Sequence, residues 1–82
     1  MEKVEIKKIA DYIRKLEEGL YELDFRGQTT HVHLNKLYQI IKRLMDATFK
    51  TEDQRLKVLL ATLEYKARKC KQCIEDKLAV KN

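Results

Sequence analysis

The 82-residue chain has no proline, no serine and no tryptophan, and only two glycines, Gly19 and Gly27. Without serine there is no serine nucleophile, and without a glycine-rich loop there is no backbone cradle for a nucleotide phosphate. Long apolar runs are also missing. The longest aliphatic stretch, Val58-Leu59-Leu60-Ala61, falls far short of the roughly 20 residues a membrane-spanning helix needs. The amino terminus, MEKVEIKK, is charged from its second residue and lacks a signal peptide's apolar stretch. A cytoplasmic protein with no membrane partner is therefore expected. The adjacent carboxylates Glu17-Glu18 and Glu75-Asp76 point apart on a helix and form no acid/base pair. An enzyme is not expected from this inventory, nor is a cofactor.

What is present is a chain of alternating helical and charged character. Hydrophobic residues make up 44% and charged residues 38%, which excludes both a disordered chain and a membrane-embedded one. The length allows one core, so residues 1–82 form a single domain; a chain of this size buries somewhat more than ~60% of its unfolded surface and folds without staples. Apolar residues at Ile6, Ile9, Ile13 and Leu16 lie on one helical stripe, predicting a helix over 2–18. Lys7–Asp11, Asp11–Lys15 and Arg14–Glu18 stand one turn apart on its solvated side. Asn35 is a good N-cap for a second helix over 36–49, with Leu37, Ile41 and Leu44 inward. Thr51 with Gln54 reads as a capping box. It opens a third helix over 52–79, whose stripe is Leu56, Leu60, Leu63, Ala67, Cys70 and Ile74. The short link makes the last two helices an antiparallel hairpin.

Residues 20–34 admit two readings. Placing a turn at Arg26-Gly27 pairs Tyr21 with Val32 and Leu23 with Thr30 on a largely apolar face, and Glu22 with His31 on a polar one. Gly19 then ends the first helix as its C′ residue, and the Thr-Thr-His-Val run favours strand. The expected fold is therefore a mostly helical α+β domain ordered α-β-β-α-α. The alternative is a three-helix bundle, in which the first helix continues through Leu20 and Leu23. An open hairpin edge would also let two copies pair as a homodimer.

The stretch KARKCKQC, residues 66–73, poses the question of a site. Cys70 falls on the apolar stripe and Cys73 on its flank, where free cysteines commonly pack. With His31 and His33 they make a possible Cys2His2 zinc set, since i, i+3 positions share a helical face and i, i+2 positions share a strand face. In the hairpin register, however, the histidines point to the polar side, away from Cys70. A single CxxC without a βαβ setting does not point to redox chemistry either.

Charge is the more informative feature. The formal net charge is +5. Residues 1–25 hold seven acids and five bases, 26–50 one acid and five bases, and 51–82 five acids and eight bases. The excess sits in the second and third segments. Lys66, Arg68, Lys69 and Lys71 crowd the third helix, while Lys36, Arg43 and Lys50 recur at seven-residue spacing on the second. Arg55 and Lys57 extend the positive surface near the turn. Such a patch is the electrostatic footprint of a nucleic-acid binder. Lys36, Arg43, Lys66, Arg68, Lys69 and Lys71 are accordingly the candidate contacts to DNA or RNA phosphates. Glu64–Arg68 and Lys71–Glu75 are i, i+4 pairs that partly neutralise the patch. The alternative function is a protein-interaction module, an adaptor or inhibitor that docks on an acidic partner; a zinc-stabilised module comes third.

Overall fold

The computed structural model describes residues 1–23 and 28–81. Three helices follow one another: α1 (Lys3–Glu17), α2 (Thr29–Lys50) and α3 (Gln54–Lys81). The described residues contain no strand. The α-β-β-α-α order is thus overturned in favour of a three-helix bundle, although the first helix ends at Glu17 and does not continue through Leu20 and Leu23; α2 instead reaches back to Thr29. The homodimer through a hairpin edge loses its basis as well, since Thr29–Leu34 are helical. The expected Arg26-Gly27 turn lies outside the described residues.

Why helix wins at residues 29–34 follows from burial. On a helix, Thr30, Leu34 and Leu37 stand one turn apart and continue the stripe of Ile41 and Leu44. Thr30 and Leu37 are fully buried, whereas Val32, which the hairpin would have turned inward, is exposed. Lengthening an existing helix needs no new nucleus, whereas a lone two-stranded hairpin is marginal in water. These terms outweigh the β preference of Thr-Thr-His-Val. Asn35 consequently lies within α2 and does not cap it.

The helix ends have identifiable causes. At the end of α1, Gly19 takes φ +72°, its N–H bonds the Leu16 carbonyl and the Leu20 N–H bonds the Lys15 carbonyl. This is a Schellman stop. At the start of α3 the cap is Asp53, not the expected Thr51–Gln54 box. Its Oδ1 accepts from the N–H groups of Arg55 and Leu56 at 3.0 and 3.3 Å, while the Thr51 hydroxyl accepts from Asp53 N–H.

α2 and α3 form the main antiparallel pair, and α1 lies over one side of it, packing chiefly on α3. Ile6, Ile9, Tyr12 and Ile13 of α1 meet Leu37, Ile40, Ile41 and Leu44 of α2 and Leu60, Leu63, Ala67 and Ile74 of α3 in one core. Each of the isoleucines and leucines among them contributes roughly 1.5–3 kcal/mol on burial. The segment after α1 is fastened by an aromatic cluster. Tyr21 packs on Tyr12 and on His33, with ring centroids 5.3 and 5.0 Å apart. The Tyr12 hydroxyl and His33 Nδ1 share a hydrogen bond, and Lys36 Nζ sits 4.1 Å from the Tyr12 ring centroid. Burial, reinforced by Tyr21 and Cys70, pushes the Tyr12 hydroxyl up to about 12. The hydroxyl therefore keeps its proton; donated to Nδ1, it places a neutral His33 ring's own proton on Nε2. Burial and the Lys36 charge lower the His33 pKa.

Three outcomes are expected. Leu44→Ala, at a fully buried site, should cost about 2–5 kcal/mol in urea unfolding. Gly19→Ala meets no atom within 4 Å, so it should cost only the left-handed backbone penalty of about 1–2 kcal/mol. The third concerns acid. With the folded His33 pKa below the ordinary 6.5, the unfolded chain takes up this proton first. Its contribution is present above that ordinary value and is lost as pH falls through the lower folded one. His33→Asn, whose oxygen can accept from Tyr12, should flatten stability between about pH 7 and pH 5. An unchanged acid slope in that variant would show that His33 does not carry it.

Candidate nucleic-acid interface

The six cations expected to form one α2/α3 face do not share a face. Arg43 forms an ion pair with Glu5 of α1, and Lys36 covers Tyr12, so both point to the α1 side of α2. Lys50, on the same ridge, pairs with Asp46 at 3.1 Å. Arg68 and Lys71 lie on the opposite margin of α3, each engaged by a carboxylate one turn away. Arg68 Nε donates to Glu64 at 2.8 Å and its Nη2 approaches the Met45 sulfur at 3.1 Å. Lys71 Nζ reaches Glu75 at 3.0 Å. The i, i+4 pairs visible in the sequence are therefore formed.

Lys66 and Lys69 remain. Both are exposed, and neither has an ion pair among the described residues; Lys69 Nζ stands 5.5 Å from the ring centroid of Tyr65, itself exposed. At 100° per residue they share a strip with Arg55, Leu59, Thr62, Cys73 and Lys77 along the outside of α3. From Arg55 to Lys77 this strip runs about 33 Å at 1.5 Å per residue. Arg55 and Lys77 likewise make no ion pair among the described residues. No carboxylate of α3 falls inside the strip. Glu64 and Glu75 are held on the α2 side, and Asp76, at the margin, accepts from Gln72. Lys77 was missed as a candidate because it stands apart from the dense Lys66–Lys71 cluster, although the expected third helix already included it.

The cysteine region adjoins this strip. Leu16, Glu17 and Leu23 with Lys69, Cys70, Cys73, Ile74 and Lys77 line an open groove of about 480 Å³. Both thiols are free, Cys70 half-buried and Cys73 exposed. Burial first, then Glu17 and Cys73, raise the Cys70 pKa, so this thiol stays protonated and packs against the core. Cys70, Cys73, His31 and His33 are not brought together as a ligand set. On a helix, i, i+2 side chains diverge by about 200°; His33 is engaged by Tyr12 while His31 is exposed. Among the described residues no three His, Cys, Asp or Glu side chains are grouped to hold a metal. No described helix is long and apolar enough to cross a membrane. No protein-family model matches the chain, and no curated protein or solved structure matches it at a significant level.

Proposed function

We propose that the chain is a small, cytoplasmic, non-enzymatic module that binds the phosphate backbone of DNA or RNA along the outside of α3. The observation that carries this reading is the segregation of charge on that helix. Glu64 and Glu75 are engaged at the α2 margin and Asp76 accepts from Gln72 at the edge of the strip, whereas Arg55, Lys66, Lys69 and Lys77 face solvent in one strip without ion pairs among the described residues. Unpaired lysine and arginine in a row release condensed counterions when they meet phosphates. Contacts of this type position a protein on nucleic acid and read little sequence. Glu17, which lines the same groove as Lys69 and Lys77, opposes the interaction at its edge.

Binding to a labelled duplex should therefore weaken steeply with salt, with a log–log slope of roughly −3.6 for about four phosphates. The double reversal Lys66→Glu/Lys69→Glu should abolish it. Lys8→Glu/Lys50→Glu changes net charge equally and should leave most of the affinity, because those residues lie elsewhere. Glu17→Gln should tighten binding. Equal losses from the two double reversals would reduce the effect to bulk attraction, and no binding at low salt would reject the reading.

A further inference from the structure

The side of the α2–α3 pair turned away from α1 carries a separate surface. Tyr38, Met45 and Phe49 follow one another at intervals of seven and four on α2, so they share a strip. They are 55, 48 and 90% exposed. α1 cannot cover them, since Glu5 and Tyr12 engage the other side of α2 at Arg43, His33 and Lys36. Met45 instead faces Arg68 of α3. Aromatic residues, methionine and arginine are the side chains enriched at protein interfaces, and grouped anchors of this kind dominate binding energy.

The charges around the strip select its occupant. Glu64 and Glu75, the carboxylates that α3 brings to this margin, are already held by Arg68 and Lys71. Lys42, between Tyr38 and Met45, and Lys57, toward the interhelical turn, make no ion pair among the described residues. Glu52, in the turn three residues beyond Phe49, is likewise without an ion pair among the described residues, so the uncompensated charge around the strip is two lysines against one carboxylate, a net positive. A second copy would bring these lysines toward one another on chains that each carry a net charge of +5, which repels. A helix with carboxylates flanking an apolar stripe would match both the strip and the lysines. We propose that Tyr38, Met45 and Phe49 dock an acidic amphipathic helix of another protein, independently of the phosphate-binding strip.

The test titrates the full chain, with methionine methyls labelled, with a synthetic peptide of about five helical turns. The peptide carries leucines on one stripe and glutamates on both flanks; a control peptide carries lysines in place of the glutamates. The acidic peptide should shift the Met45 methyl and the Phe49 ring signals and bind more tightly than the control. Phe49→Ala should weaken binding by about tenfold or more, and at a site so exposed it should not disturb the core. Lys42→Glu/Lys57→Glu should reverse the preference between the peptides. No binding, equal binding of both peptides, or shifts confined to Lys66–Lys69 would overturn the proposal. A dimer that Phe49→Ala dissolves would assign the strip to a second copy instead, which also overturns it.

Discussion

A 28-residue helix keeps its shape in water only if a continuous apolar seam along it is buried, because isolated helical stability is marginal. In α3 that seam runs through Leu60, Leu63, Ala67 and Ile74, extended by Leu56, Cys70 and Leu78. The fully buried Ala67 has no bulk beyond its Cβ and lets the neighbouring helices come close. The other features of the molecule depend on this seam. It fixes which side of α3 meets α2, which meets α1 and which stays wet.

Once the seam is set, the charges sort themselves by geometry. Residues that flank it on the α2 side find partners one turn away, as Arg68 does with Glu64 and Lys71 with Glu75. These pairs are exposed and add little stability, since surface ion pairs are worth about 0–1 kcal/mol. Their consequence is one of pattern. By engaging Glu64 and Glu75 they leave no carboxylate of α3 free beside Tyr38 and Met45, while the outer strip of α3, into which no acid falls, stays basic. α1 makes the complementary contribution on α2, where Glu5 engages Arg43 and Tyr12 takes Lys36.

Much of this was legible in the sequence. The 3-4 spacing of Ile6, Ile9 and Ile13 and the stripe from Leu56 to Ile74 placed α1 and α3 to within a few residues, and Gly19 marked the end of α1. Residues 20–34 were not legible. Thr-Thr-His-Val prefers strand locally, and only the burial of Thr30 and Leu37 beside α1 and α3 decides for helix. The candidate site was legible in composition but not in arrangement. Lys66 and Lys69 were identified, and so were the helical pairs that occupy Arg68 and Lys71. The Arg43–Glu5 pair was hidden because it joins residues distant in sequence. Asp53 took the cap from Thr51 because its carboxylate sits one residue before the helix and reaches two N–H groups.

The central claim is that the apolar seam of α3 leaves one unpaired basic strip and that this strip meets phosphates. Backbone amide shifts of the labelled chain, followed while a short duplex is added at low salt, test it directly. The account predicts changes that follow the strip at Arg55, Leu59, Thr62, Lys66, Lys69, Cys73 and Lys77 and leave Met45–Phe49 in place. Changes centred on Lys36 and Arg43, or spread evenly around all three helices, would contradict it.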